Sequence, residues 1–447
     1  MAPIKLPTGG LVMGLLLLAA GSALATGEAD QEGGAMAQKE ILFWDTATPG
    51  SKDHQWLTER VEIYMNENPD VVVKLEPQAS IEIQTLFQVS AASGRGPDIM
   101  NYWTAVYTFP LKDLLIDVKE YVSAEQLDRF RMIYPSYYNY DPNEKLLGIP
   151  HMRYGFYHFI YNRAMFRDAG IEWEPTEENG YHMSWDEFIE ACERLKTAGY
   201  TPLGWGNEGG WYSTWMISPI SMQMYEEKDD WIRHYKNEIK WNDTEAVEPM
   251  ERVNELYQRG YFNEGGLTLG GGEGLQLVKN GEVAMQVMFW GIDLKSVYDE
   301  MGDDFGMMLA PVFYPDNPYA DALFVVYPNN YVIPTWSKHP QESVDLLMSL
   351  YSNESMVRYH EVTGAIPIIK DFDTSLLKDK WERLAWHWIA TLEHGPPVDV
   401  VVLLSELYFD QSALSIEMFN GNMTPQEVGD AMQARVDELD YDWLTGK

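Results

Sequence analysis

The sequence predicts an α/β fold with two substantial cores, and three observations support that fold class. The chain has 447 residues, more than the roughly 250–300 residues at which a single core stops growing. Strand-like runs alternate with helical patterns in its early part, which is typical of βαβ units around a mostly parallel sheet flanked by helices. The last third has helical periodicity. We therefore expect two α/β halves with a helical finish.

The early elements follow from hydrophobic spacing and from stop signals. Residues 41–44 form a short apolar run that predicts a strand. Asn68-Pro69 ends the next helix, and residues 71–73 begin a second strand. The same patterns predict a helix around residues 83–87 and a strand at 98–100. The first helix is predicted from apolar residues at helical spacing, namely Trp56, Leu57, Val61 and Tyr64.

The later elements rest on the same kinds of pattern. Asn280-Gly281 is a turn signal, and the apolar run 283–289 after it predicts a buried strand. The glycine run 270–274 is interpreted as a flexible loop before a helix at Leu275. Thr424-Pro425 predicts the start of a final helix, with Glu427 as its capping-box partner. Two further helices are predicted from the faces formed by Val344, Leu347, Met348 and Tyr351, and by Leu404, Leu407, Tyr408, Gln411, Leu414 and Met418.

The first residues predict export. An apolar run at 11–20 follows Lys5, and small residues at 23–25 fit a cleavage site, so residues 1–25 are predicted to be a signal peptide. The run is shorter than the about 20 residues that span a bilayer. Residues 26–38 are predicted to be a disordered tether. No cysteine follows the apolar run, so we expect an exported, soluble, periplasmic protein without a lipid anchor.

The net charge and the cysteine content limit the kinds of partner and of covalent cross-link that the protein can have. The formal net charge is −37, from 69 acidic and 32 basic residues. Such a surface repels phosphate backbones and anionic membranes, so we expect no nucleic-acid binding. We interpret the charge as a solubility feature, with a cationic ligand as the alternative. The only cysteine, Cys192, allows no intramolecular disulfide, and its place on the apolar face of a helix at 184–196 predicts a core residue.

The motifs of common enzyme classes are missing from the sequence. It has no Gly-x-Ser-x-Gly elbow, no phosphate-binding loop ending in Lys-Ser/Thr and no His-Glu-x-x-His helix. The nine histidines are scattered, so no metal site is expected. We therefore expect no catalytic residues and no cofactor. A secreted glycoside-acting enzyme with paired acids stays as the alternative from another class.

Seven short motifs occur in order over residues 40–440. They are ILFW at 41–44, AASGRGPDI at 91–99, GIP at 148–150, YNRAMFRDAGI at 161–171, KNGEVAM at 279–285, TGAIP at 363–367 and TPQE at 424–427. Each motif is weak alone. Together they resemble the extracellular solute-binding proteins of carbohydrate uptake, the family that includes maltose-binding protein.

The resemblance implies a periplasmic-binding-protein-like fold of type II, whose two lobes close around a ligand in the cleft between them. It implies lobe one at 39–152 and 311–352, and lobe two at 153–310 and 353–447. The implied function is capture of a sugar or oligosaccharide by a monomer that delivers it to the permease subunits of an ABC importer. The alternative on the same fold is a polyamine, a peptide or another solute.

Aromatic rings that stand beside polar groups are the candidate ligand contacts, because a sugar site requires both. Trp44 and Asp45 end the first predicted strand, where ligands of open α/β sheets usually lie, with core packing as the alternative for Trp44. Tyr102 and Trp103 end a later strand and resemble an aromatic position that the family uses for stacking. Arg153 follows Gly-Ile-Pro near the expected hinge, and either bonds hydroxyls or pairs an acid across the lobes.

The second lobe supplies further candidates. Residues 205–212 combine rings with polar groups on a glycine-rich loop, so Asn207, Glu208 and Trp211 are predicted contacts, with a rigid turn as the alternative. Trp290 follows the strand at 283–289 and resembles another aromatic position of the family. Asp293 is the last candidate, although it would serve equally as the cap of a helix that begins at Leu294.

Overall fold

The computed structural model describes residues 38–80, 82–104, 107–131, 145–153, 155–227, 230–235, 237–290, 294–326, 329–396 and 405–438. All of them belong to one compact unit, Gln38–Lys447. The predicted signal peptide lies outside the described residues, as does the predicted tether apart from Gln38.

Ten strands and fifteen α-helices are found in the described part of the chain. The strands are β1 (Lys39–Asp45), β2 (Val71–Pro77), β3 (Ile99–Tyr102), β4 (Ile149–Pro150), β5 (Gly155–Asn162), β6 (Thr201–Leu203), β7 (Val283–Trp290), β8 (Phe305–Leu309), β9 (Val325–Val326) and β10 (Asn330–Val332). The helices are α1 (Lys52–Glu67), α2 (Ile83–Ser93), α3 (Ala124–Asp128), α4 (Arg163–Asp168), α5 (Trp185–Thr197), α6 (Trp211–Ser221), α7 (Asp230–Tyr235), α8 (Thr244–Gln258), α9 (Gly271–Lys279), α10 (Leu294–Met301), α11 (Pro340–Leu350), α12 (Asn353–Thr363), α13 (Lys380–Thr391), α14 (Ser405–Phe419) and α15 (Pro425–Glu438). The strands and helices predicted from hydrophobic spacing are confirmed.

The strands form two mixed sheets. The first has the order β2–β1–β3–β10–β4, and the second has the order β6–β7–β5–β8, with β9 also paired to β5. In the first sheet β1 runs parallel to β2 and β3, whereas β10 is antiparallel to both β3 and β4. In the second only β6 and β7 are parallel. The prediction of mostly parallel sheets was therefore wrong, because strands that arrive from the other sheet insert in the opposite direction.

Helices α1 and α12 pack together against the first sheet. Ser51 begins α1 by accepting a hydrogen bond from the backbone N–H of His54 at 3.2 Å, which satisfies one free donor of the first turn. Trp56 on α1 is fully buried, with its ring centroid 4.9 Å from that of Tyr359 on α12. Its indole N–H donates to the backbone oxygen of Ser355 at 3.1 Å. The packing of α1 thus joins residues from opposite halves of the chain.

Helices α5 and α13 cover the second sheet. Ser184 and Glu187 form the predicted capping box of α5, and Cys192 on this helix is fully buried, so its prediction as a core residue is confirmed. Burial raises the pKa of the Cys192 thiol, which keeps it in the unreactive protonated form. On α13, the ring of Trp388 lies 6.1 Å from that of Phe156 on β5. These contacts give the second sheet its own core.

Three segments pass between the two sheets, and the first of them is hydrogen-bonded to each of the other two. The first joins β4 to β5 and the second joins β9 to β10. The backbone N–H of His151 in the first donates to the oxygen of Asn329 in the second at 2.8 Å. The third segment follows α12, and the N–H of Ile368 there donates to the oxygen of Met152 at 3.0 Å. Residues 151–153 are therefore a junction of all three segments.

The lobe boundaries taken from the family resemblance stay a prediction, and the packing contacts suggest a refinement. Strand β9 pairs with β5 of the second sheet, and α12 packs on α1 beneath the first sheet. We propose that the chain changes lobe between β4 and β5, between β9 and β10, and between α12 and α13. Residues 311–326 would then belong to lobe two, and α12 to lobe one.

Candidate functional site

Asp45, at the end of β1, is the centre of a buried polar cluster. Its side chain is only 1% exposed. One carboxylate oxygen accepts from the side-chain amide of Asn101 and from the hydroxyl of Tyr331, both at 3.1 Å, and the other accepts from the N–H of Ala47 at 2.7 Å. Strand register brings these groups together, because Tyr331 on β10 pairs with Asn101 on β3. Burial raises the pKa of Asp45 against the lowering effect of these hydrogen bonds.

Trp44 and Asp45 do not act as a pair, because successive side chains on a strand point to opposite faces. Trp44 is partly buried. Its indole N–H donates to a carboxylate oxygen of Glu76 on β2 at 3.0 Å. One part of the ring packs on the core and another part meets solvent.

Tyr102 and Trp103 also have different environments. Tyr102 is 5% exposed, and its ring lies 5.3 Å from that of Phe87 on α2, so it is a core residue. Trp103 is partly buried. Its indole N–H donates to the hydroxyl of Ser80 at 3.1 Å, and its ring stands edge-on to Tyr107 at 4.9 Å. Of the two, Trp103 has surface that a ligand could reach.

Arg153 pairs with an acid, which was one of the two roles considered for it. Its guanidinium lies 3.6 Å from a carboxylate oxygen of Asp53, in the first turn of α1. The other oxygen of Asp53 accepts from the hydroxyl of Tyr359 at 2.8 Å. The charge of Asp53 also contributes to the raised pKa of Asp45. Asp45, Asp53 and Arg153 therefore lie close together at one edge of the first sheet.

His151 is a member of this cluster that the sequence did not reveal. It is 6% exposed, and its ring lies 5.5 Å from that of Tyr331. Burial and the neighbouring charge of Arg153 hold the pKa of His151 well below its ordinary value. Its Nδ1 has no hydrogen-bond partner among the described residues. Asn101 and Asp53 were missed as well, although a polar residue inside an apolar strand was a usable signal for Asn101.

Residues 205–212 form a rigid, packed turn that carries one exposed acid. Trp205 is fully buried and stacks on Phe262 with a centroid distance of 3.9 Å. Asn207 is also fully buried, and its side-chain oxygen accepts from the N–H of Ser213 at 3.0 Å, in the first turn of α6. Glu208 is exposed. Trp211 is partly buried, with its ring 4.6 Å from that of Trp215.

The glycines of this region allow backbones to touch rather than keeping the loop mobile. A Cβ on Gly206 would overlap the main-chain oxygen of Gly270, and one on Gly210 would overlap that of Ser412. The interpretation of residues 270–274 as a loop was wrong, because α9 already begins at Gly271. The carboxylate of Glu273 accepts from the N–H of Gly270 at 2.9 Å and so compensates for the poor helix propensity of the glycines.

The remaining candidates lie near the connections between the sheets or outside the described residues. Trp290 is the last residue of β7 and pairs with Gly155, the first residue of β5. Asp293 lies outside the described residues. The structure thus gathers Trp44, Asp45, Trp103 and Arg153 at one sheet edge, and Asn207, Glu208 and Trp211 at the start of α6.

The described part of the chain contains no group of three or more His, Cys, Asp or Glu side chains arranged to hold a metal ion. A cavity of about 460 Å³ lies apart from the predicted site, beside the last residues of β5. Among the helices that the structure describes, none has the length and apolar character needed to cross a membrane.

Comparison with known sequences identifies the family. The model of the bacterial extracellular solute-binding protein family matches residues 44–357, and the chain belongs to this family. An uncharacterized ABC transporter extracellular-binding protein of Pyrococcus horikoshii is 22% identical over 260 residues, 57% of this chain and 56% of that protein. The multiple sugar-binding protein of Streptococcus mutans is 24% identical over 206 residues, 45% of this chain and 46% of that protein. The chain thus spans about half the length of these curated relatives.

Solved structures support the fold over a longer span. A chitin oligosaccharide binding protein superposes with a TM-score of 0.74 and 19% identity, covering 90% of this chain and 98% of that one. The predicted two-lobed α/β fold is confirmed by this likeness. At such identity the likeness concerns the fold alone, and the ligand has to be argued from the site.

Proposed function

We propose that this protein captures a sugar or an oligosaccharide outside the cytoplasm and delivers it to the permease subunits of an ABC importer. The observation that carries the proposal is the pair of partly exposed indoles, Trp44 and Trp103, at the edge of the first sheet. Each is fixed through its indole N–H, to Glu76 and to Ser80 respectively. Sugars have flat apolar faces edged with hydroxyls, which bind to rings set beside hydrogen-bonding groups.

The polar groups at this edge of the first sheet favour a neutral ligand over a polyamine. A polyamine site would surround its rings mainly with carboxylates. Here the groups are mixed, and the acids are already engaged: Asp45 accepts three hydrogen bonds, and Asp53 pairs with Arg153. The names of the multiple sugar-binding relative and the chitin oligosaccharide binding neighbour agree with a carbohydrate.

We assign the candidate residues to two roles. Trp44 and Trp103 would contact the ligand from lobe one, Arg153 from the junction at residues 151–153, and Glu208, Trp211, Trp290 and Asp293 from lobe two. Asp45, Tyr102 and Asn207 are almost fully buried, so they would hold the contact residues in place. Asp45 in particular fixes the side-chain amide of Asn101.

The proposed mechanism is closure without catalysis by a periplasmic monomer. Ligand binds to the rings of one lobe, and the other lobe then closes over it about the junction at residues 151–153. Binding shifts an existing equilibrium only as far as the ligand prefers the closed state. X-ray scattering should show a smaller radius of gyration with ligand than without it. An unchanged radius of gyration with saturating ligand would contradict the proposed closure of the lobes.

Replacing Trp103 with alanine is expected to weaken carbohydrate binding by about 1–3 kcal/mol, or roughly 5- to 150-fold in the dissociation constant. The loss follows from removing a fixed apolar platform while the polar neighbours remain. A thermal-shift screen with mono- and oligosaccharides, polyamines and divalent metals would first identify the ligand, since saturation at 100 times the dissociation constant adds about 2.7 kcal/mol. Calorimetric titration of the variant then measures the loss.

Trp185 provides the matched control. It is also partly buried, but it is the first residue of α5, where its ring lies 4.6 Å from that of Phe313. Trp185→Ala should lower stability and leave the dissociation constant unchanged. Equal affinities for wild type and Trp103→Ala would contradict the proposed position of the binding site. Stabilisation by polyamines alone would contradict the proposal that the ligand is a carbohydrate.

A further inference from the structure

The cavity beside the last residues of β5 lies far from the junction of the crossing segments. It has a volume of about 460 Å³ and is bounded by the end of β5, by α4 and by residues 171–179. Strand β5 begins beside the junction at Gly155 and ends at Asn162. At about 3.3 Å per residue, the strand separates the two places by roughly 23 Å. We call this space the distal cavity.

Three aromatic residues line the distal cavity, and Trp173 is the one with accessible surface. Tyr161 and Phe166 are fully buried there, with ring centroids 4.6 Å apart. Trp173 is partly buried, and its ring stands edge-on to Tyr161 at 5.9 Å. Two rings therefore support a third whose remaining surface is open to a ligand.

Paired charges surround these rings and leave both donors and acceptors at fixed positions. The guanidinium of Arg163 donates to Glu174, with Nε 2.8 Å from the carboxylate, and to the backbone oxygen of Asp303 at 3.3 Å. The other oxygen of Glu174 accepts from the Tyr161 hydroxyl at 3.4 Å. Arg167 pairs with Asp304 at 3.0 Å.

The wall of the distal cavity is preformed. The side-chain amide of Asn179 donates to the backbone oxygen of Glu174 at 2.8 Å, and its oxygen accepts from the N–H of Thr176 at 2.9 Å. These bonds hold the segment that carries Trp173 and Glu174 in one conformation. A preformed wall lowers the entropy lost on binding.

We propose that the distal cavity is a second carbohydrate site, which takes a single neutral sugar ring independently of the cleft. Its volume is within the range of about 300–1,000 Å³ found for small-ligand sites. The lining carries two arginines and two glutamates, so neither an anion nor a cation meets a favourable net charge. A sugar needs an aromatic face with both donors and acceptors at its rim, and this cavity supplies them.

The test uses the mature protein with glucose, galactose, xylose and N-acetylglucosamine, each titrated alone while the indole N–H resonances are followed by NMR. We expect one of these sugars to shift the Trp173 resonance with a saturable curve. In calorimetric titration with the same sugar, Trp173→Ala should lose that binding event and leave any cleft affinity unchanged. Glu174→Gln keeps the ring and should weaken the event at least tenfold, which covers the case in which Trp173→Ala is poorly folded.

Trp103→Ala separates this proposal from the proposed function. A binding event that is lost in Trp103→Ala but intact in Trp173→Ala and Glu174→Gln belongs to the cleft, and an event with the reverse pattern belongs to the distal site. If every binding event is lost in Trp103→Ala and none in Trp173→Ala or Glu174→Gln, the distal site is overturned, and if none is lost in Trp103→Ala, the placement of the cleft site is overturned. If no sugar perturbs the Trp173 resonance at saturating concentration, the distal site is overturned whatever the cleft binds.

Discussion

Replacing Gly210 with alanine is expected to lower the free energy of unfolding by about 3 kcal/mol or more. Gly210 has a φ of 82°, and an added Cβ would overlap the main-chain oxygen of Ser412 on α14. Left-handed backbone costs a residue with a Cβ roughly 1–2 kcal/mol, and overpacking adds about 1–3 kcal/mol. The measurement is urea unfolding of the variant against wild type, compared through midpoint and slope.

Gly209 is the matched control for this change. Its φ is 76°, but a Cβ there would meet its nearest neighbour, in the ring of Trp211, at an ordinary 3.6 Å. Gly209→Ala should therefore lose only the backbone contribution of about 1–2 kcal/mol. Equal losses in the two variants would show that the contact between residues 206–210 and α14 does not determine the stability of this turn.

Acidification from pH 6.5 to pH 4 is expected to remove about 3 kcal/mol of stability through His158 alone. This residue is fully buried on β5, where burial lowers its pKa to about 4. An unfolded chain has an ordinary histidine pKa of about 6.5. Below pH 6.5 the unfolded state therefore takes up a proton that the folded state excludes. The stability that His158 contributes is fully present above pH 6.5 and is lost as the pH falls towards 4.

His158→Gln tests this linkage because glutamine does not titrate. We expect the variant to be less stable at pH 7 but to lose less stability on acidification, so that the two unfolding free energies converge by about 3 kcal/mol at pH 4. His339→Gln, at the start of α11, is the control for the substitution. Burial also lowers the pKa of His234 to about 4, so some acid sensitivity should persist. Parallel pH profiles for wild type and His158→Gln would contradict the prediction.

The sequence predicted local elements well and sheet topology poorly, for a physical reason. The spacing of apolar residues and the helix caps depend only on residues close together in the sequence, as the Ser184 capping box and the buried face of α5 show. Strand β10 has only three residues, and its partners β3 and β4 lie far away in the chain. The residues near such a strand do not predict which strands it pairs with. The antiparallel insertion of β10 is what makes the first sheet mixed.

The sequence predicted which strand ends lie next to each other, but it did not predict the contacts of the candidate residues there. The ends of β1 and β3 were correctly placed at one edge, yet strand alternation separated Trp44 from Asp45. Asn207 looked like a loop contact, but its side chain caps the start of α6. Asp53, Asn101 and His151 come from three distant segments, and only long-range register and packing bring them next to Asp45 and Arg153.

The position of β10 between β3 and β4 also determines when the first sheet can be completed during synthesis. The hydrogen bond from Asn329 to Asn101 spans 228 residues. During synthesis β1, β2 and β3 emerge early, but the first sheet stays open at β3 until residue 332 has been added. Contacts this distant slow folding. Most of the chain is therefore translated before the first sheet can be completed. The chain stays incompletely folded for longer, which suits a family whose members work outside the cell.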